Sequence, residues 1–123
     1  MPKTNIETIE RYFALVDYAN DSEENFRKLI SLYSDDCESH SNNGSVSHGK
    51  EELTQNTRRF YDWMKGGESR HFHRVTSEQP DRIEVDWAVS ARLADGNVMA
   101  LQGHNVYQFN DSHEIRHLVV TNS

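Results

Sequence analysis

The chain has 123 residues, enough for one domain with one core that buries roughly two thirds of the unfolded surface on folding. Its 20 Asp and Glu outnumber its 13 Lys and Arg, giving a formal net charge of −7 that repels phosphate backbones and argues against a nucleic-acid partner. No stretch approaches the roughly 20 apolar residues needed to span a bilayer, and a lone cysteine, Cys37, excludes an intrachain disulfide. Met1 to Glu10 lack a basic cluster followed by an apolar run, so no membrane association is expected and the cytoplasm is the expected compartment.

In chain order, Ile6, Ile9, Phe13 and Val16 recur at helical spacing and predict an amphipathic first helix over 6–20. Asp21 with Glu24 three residues later fits a capping arrangement for a second helix reaching about Tyr33, with Phe26, Leu29, Ile30 and Tyr33 in one stripe. A segment rich in Ser, Asn and Gly, 39–47, precedes Gly49, which can cap a third helix with Glu52 at its third position. In that helix Leu53, Phe60, Tyr61 and Met64 share a face, and Gly66 and Gly67 end it. Cys37, beside Asp35, Asp36 and Glu38, reads as structural, because neighbouring carboxylates disfavour a thiolate.

Beyond Gly67 the period changes to two. Ile83, Val85, Trp87, Val89, Ala91 and Leu93 alternate with charged or small residues and predict a long half-buried strand. Strands at 69–78, 98–109 and 114–122 flank it, separated by Gln79-Pro80-Asp81, Asp95-Gly96-Asn97 and Asn110-Asp111-Ser112. Connections this short predict four antiparallel neighbours, hence a single α+β domain over 1–123 with helices on one sheet face.

The order of elements, Tyr33-Ser34-Asp35-Asp36-Cys37-Glu38-Ser39-His40, the helix start Gly49-Lys50-Glu51-Glu52-Leu53, and Ile115 in the last strand resemble the NTF2-like (cystatin-like) superfamily, in its SnoaL-like and ketosteroid-isomerase-like branch. The resemblance implies a cone of three N-terminal helices packed on a curved, mainly four-strand antiparallel sheet, a small-molecule pocket, and a homodimer through the sheet. Ketosteroid-isomerase-like members place an acidic base where this chain has His40-Ser41-Asn42, and SnoaL-like cyclases use an Asp late in the sheet, where it reads 115–122 without a carboxylate. The dehydratase-like members, typified by scytalone dehydratase, combine a Tyr and an Asp on the first helix with a His on the first long strand. By that resemblance Tyr12, Asp17 and His71 are the catalytic candidates, with no cofactor, in a lyase or isomerase acting on a small hydrophobic or oxygenated ring compound. The alternative is a non-catalytic ligand-binding or dimeric interaction module.

His71 would act as base, Tyr12 as oxyanion donor, and Asp17 as the group that orients the imidazole. Residues five apart on a helix differ by roughly 140°, so Tyr12 and Asp17 would flank the apolar stripe. The bland alternative makes Tyr12 an interfacial aromatic, Asp17 a turn acceptor and His71 a polar strand residue. His71 and His73, two apart, share a side with Val75, either lining the pocket or facing solvent. His40 is a binding candidate or a loop histidine. Trp87, with Trp63, Tyr61 and Phe60, reads as core and pocket wall, and Asn105 and Tyr107 would add hydrogen bonds inside it. His104 should point to the other sheet face, and the side taken by His117 depends on whether its strand carries a bulge. None of the seven histidines stands in a metal-ligand spacing, so no metal is expected.

Overall fold

A computed structural model describes residues 2–123. Its elements run α1 (Asn5–Leu15), α2 (Glu23–Ile30), β1 (Tyr33–His40), β2 (Val46–His48), α3 (Gly49–Trp63), β3 (Glu68–Gln79), β4 (Arg82–Arg92), β5 (Val98–Phe109) and β6 (Ile115–Asn122). The strands form one six-stranded sheet in the order β2-β1-β6-β5-β4-β3. The four-strand antiparallel meander is present as β3 to β6. Two further strands extend it: β1 lies parallel to β6, and β2 folds back antiparallel on β1. The sheet is thus six-stranded rather than four-stranded, and the third helix follows two strands instead of preceding the sheet. None of the helices is long and apolar enough to cross a membrane among the described residues.

The helices cover one sheet face, and the core lies between. Ile9 and Phe13 of α1, Phe26, Leu29 and Ile30 of α2, and Leu53 and Tyr61 of α3 meet Ile83, Val85 and Trp87 of β4, Tyr107 and Phe109 of β5, and Leu118 of β6. Each such side chain taken out of water contributes about 1.5–3 kcal/mol. Cys37 is buried in the same core, and burial raises its thiol pKa, which keeps it protonated.

The first helix is shorter than its apolar spacing suggests. It is capped by Thr4, whose hydroxyl accepts from the Glu7 N–H, and it stops at Leu15. From there Tyr18 N–H donates to Leu15 O and Asp21 N–H to Tyr18 O, tight i→i+3 turns. Asn20 and Asn25 fix this turn through Tyr61 O and Tyr18 O. Asp17 therefore stands in a turn and not on the helix. The cap of α2 is Ser22 rather than Asp21, and Tyr33 already belongs to β1. At α3 the N-cap is His48, whose N–H donates to the Glu52 carboxylate one turn on.

The α3 stripe divides. Leu53, Tyr61 and Met64 are buried, whereas Phe60 and Trp63 are 53% and 59% exposed. The helix packs on β1, β2 and α2. The Phe60 and Trp63 rings turn away and rest on each other at 6.1 Å, so neither is pocket wall.

Candidate functional site

Strand pairing decides which candidates share the inner, helix-covered face. His71 pairs with Val89 and His73 with Trp87 across β3–β4, and Trp87 pairs with Gly103 and Val85 with Asn105 across β4–β5. Paired residues point to the same side, so His71, His73, Trp87, Val89, Asn105 and Tyr107 all stand on the inner face.

Asp17 reaches this face from the turn after α1. Its Oδ1 accepts from the Ser69 hydroxyl at 2.7 Å and lies 2.5 Å from His71 Nδ1, and its Oδ2 accepts from the His71 backbone N–H at 2.8 Å. One carboxylate thus grips both the backbone and the ring of His71. The Asp17 side chain is 8% exposed and that of His71 23%. When the neutral ring directs Nδ1–H at Asp17, the lone pair stands on Nε2; no other described residue bonds to Nε2. The arrangement is that of an imidazole base oriented by a carboxylate, able to take a proton and be stabilised as imidazolium.

The surroundings are aromatic. Phe13 and Trp87 each lie with ring centroids 6.3 Å from the His71 ring. His73 stacks on Phe13 at 4.2 Å with planes 5° apart, and partial burial lowers its pKa against a smaller upward pull from Glu10. Tyr12 joins a different group: its ring meets Tyr107 edge-on at 5.4 Å, and its phenol lies near that of Tyr33. Burial raises all three phenol pKa values, so these remain donors at any physiological pH. Asn105 Nδ2 donates to Tyr107 Oη at 2.8 Å. The structure therefore brings Asp17 and His71 together and places Tyr12 in a tyrosine cluster.

That cluster, with Tyr107 fully buried and Tyr33 nearly so, fills the interior expected to stand open. A cleft of about 180 Å³ lies on the turn side of Asp17, lined by Val16, Tyr61, Met64 and Ser69 among others, below the roughly 300 Å³ of a usual ligand pocket. Yet two buried polar atoms of the inner face, Trp87 Nε1 and Asn105 Oδ1, have no partner among the described residues. Each is a donor or acceptor whose desolvation goes uncompensated within the protein.

His40 is on the other face. Ser39 pairs with Leu118, an inward residue, so the period of two turns Glu38 and His40 outward together with His117 and Val119. The bulge beside His117 exists, between Gln108 and Phe109 of β5, and turns His117 outward. There Glu38 accepts from His40 Nε2 at 2.7 Å and His117 Nε2 at 3.2 Å, contacts that hold its carboxyl below the ordinary value, His40 first. His104 also faces outward, held by Asp86 and Glu84. Sequence reasoning passed over Ser69, although its position two residues before His71 sets it on the same side.

With this geometry in view, sequence comparison is decisive: residues 9–117 match the SnoaL-like domain family. The chain belongs to that family. An NTF2-like protein of unknown function from Exiguobacterium sp. 255-15 is similar to this SnoaL-like domain at 31% identity, covering 94% of this chain and 98% of its own, with a TM-score of 0.81. An NTF2-like protein from Burkholderia pseudomallei K96243 shares 14% identity over 97% and 90% of the two chains at TM-score 0.77. TerC, co-crystallised with polyporic acid, shares 17% over 97% and 91% at 0.75. The last two show the fold alone. No curated protein matches this SnoaL-like chain in sequence.

Proposed function

We propose that this SnoaL-like domain binds a compact, apolar, oxygenated small molecule against the inner face of its sheet and acts on it by cofactor-independent acid–base chemistry of the dehydratase or isomerase type. The observation that carries the reading is the Asp17–His71 pair: a carboxylate that holds both the backbone N–H and the ring of one histidine, with Ser69 as a further donor, while the second ring nitrogen is left for a substrate. Phe13, Trp87 and Val89 supply an apolar floor beside it, and the unpartnered Trp87 N–H is a donor for a substrate oxygen. That a protein of the same fold has been crystallised with polyporic acid supports a small organic ligand.

In this reading His71 Nε2 takes a proton from the carbon next to a carbonyl. Charge moves onto the carbonyl oxygen, where Trp87 Nε1–H donates. The imidazolium, stabilised by Asp17, returns the proton to a departing hydroxyl, releasing water, or to another carbon, giving an isomer. Binding without turnover is the second reading.

The test begins with a thermal-shift screen of small cyclic ketones and hydroxyketones, followed by ultraviolet and mass detection of any hit incubated with the protein. Turnover should fall about 10²–10⁴-fold in both His71→Ala and Asp17→Asn while the hit still binds. A hit that the native protein holds but never alters removes the catalytic claim and leaves binding. Full turnover in His71→Ala would falsify the assignment of the base.

A further inference from the structure

On the outer face, opposite the Asp17–His71 pair, three of the seven histidines surround one carboxylate. His40 Nε2 and His117 Nε2 converge on the same oxygen, Glu38 Oε2, at 2.7 and 3.2 Å, and the three ligand atoms lie within 4.8 Å of one another. His48 Nδ1 sits 3.2 Å from the other oxygen, Oε1. We infer that Glu38, His40 and His117 form a binding site for a single divalent cation of the zinc class, with His48 holding the carboxylate from behind.

Four observations carry this. First, the two spacings to Glu38 are near those that an ion requires. Tetrahedral zinc with ligands at about 2.0–2.1 Å sets its donors about 3.3 Å apart, so the 3.2 Å contact already matches and the 2.7 Å contact has to open by roughly half an ångström. Second, the backbone is preorganised. The ladder pairs Glu38 with His48 on one side and with His117 on the other, so residues from β1, β2 and β6 are set in register without any mobile loop. Third, the chemistry is right for a borderline cation: two imidazoles and one carboxylate, a mixed nitrogen and oxygen set with net charge −1 when the rings are neutral. Among the described residues no Lys or Arg pairs with Glu38, whose ionic partners are all imidazoles. Among the described residues the Nδ1 atoms of His40 and His117 have no hydrogen-bond partner, so each ring can carry its proton there and turn a lone pair on Nε2 toward the metal. Fourth, His48 has the place of an outer partner that orients a ligating carboxylate. With three protein ligands, each about one third exposed, the fourth position falls to water.

The second carboxylate–histidine group of the same face differs in a way that makes it a control. His104 is held by Asp86 through Nδ1 at 2.7 Å and by Glu84 through Nε2 at 2.9 Å. Its two nitrogens point in opposite directions, so its neighbours share no common point for an ion.

The experiment uses the full chain, stripped with a chelator and freed of it by gel filtration, then titrated with zinc chloride in competition with a chromogenic chelator. Metal content after equilibrium dialysis is measured alongside. One zinc per chain is expected. His40→Ala and His117→Ala should each weaken binding about 100-fold or more, His48→Ala about tenfold, and His104→Ala should bind as the native chain does. Melting curves without zinc establish that each variant is folded. Glu38→Gln, which keeps size and hydrogen-bonding capacity, serves if an alanine variant fails, and it too should lose tight binding. No saturable uptake, half an equivalent per chain, or unchanged binding in the His40 and His117 variants would overturn the site.

Discussion

His104 illustrates how a single side chain on the sheet surface couples to pH. Asp86 first, then Glu84, raise its pKa above the ordinary value through direct hydrogen bonds, against a smaller opposing effect of burial. A histidine whose folded pKa exceeds the unfolded value near 6.5 binds protons more tightly in the folded chain. Its contribution is therefore complete below about pH 6.5 and disappears as pH rises through the raised folded value. The native chain should melt above His104→Gln in mildly acidic buffer, and the gap should close in alkaline buffer; a gap that stays constant or widens with pH refutes the coupling. The candidate site was legible at this scale only in pieces. A period of two already placed His71 and His73 on one side, and family resemblance pointed to Asp17, but no local pattern shows that Asp17 leaves the helix at a tight turn and grips the His71 backbone. The Glu38 cluster was invisible for a stronger reason: Glu38 and His117 stand 79 residues apart and meet only through a parallel pairing.

At the scale of elements, the parts with an uninterrupted period were readable and the others were not. Ile83 to Ala91 alternate without a break, and β4 occupies nearly the span expected. In β1 the register shifts between Tyr33 and Glu38, so Ser34, Asp35 and Asp36 interrupt the alternation and read as a break, with only a short extended piece after them. Its partner β6 is the last strand, and no turn signal links two strands that pair across most of the chain. Within the readable meander Gly103 carries a constraint of its own. It lies between Trp87 and the last turn of β6, and a Cβ there would fall 2.5 Å from Trp87 Cζ2 and against the Thr121 carbonyl. The absent side chain lets the indole lie flat on β5, beside His71. Gly103→Ala should lower stability by about 1–3 kcal/mol, read as a lower urea midpoint with an unchanged slope. A native-like midpoint would mean that the indole moves freely and is not fixed by this contact.

For the whole molecule, the open question is what covers the outer sheet face. Its charges are mostly satisfied within the chain: Arg74 pairs with Asp86, Arg92 with Glu68, and His104 with Glu84 and Asp86. Among them stands Phe72, 70% exposed, at a shallow groove of about 520 Å³ lined also by Ala88, Ser90, Ala100 and Gln102. An exposed aromatic amid apolar neighbours and a rim of internally paired charge is the composition of an interface centre and not of a solvated face. The expected occupant is a second copy, because a face whose charges are already paired does not repel itself. The rest of each chain does, since two chains of formal charge −7 approach each other. The two effects make a test with a direction. Light scattering at micromolar concentration should give twice the chain mass, and the dimer should tighten as salt is raised, because screening removes the long-range repulsion and leaves the apolar contact intact. Phe72→Glu should return the chain to a monomer without changing its far-ultraviolet circular dichroism. A native monomer at every salt concentration would mean that Phe72 belongs to a contact with a different partner, and a dimer that dissociates as salt rises would mean that ion pairs across the interface, not the Phe72 patch, hold the copies together.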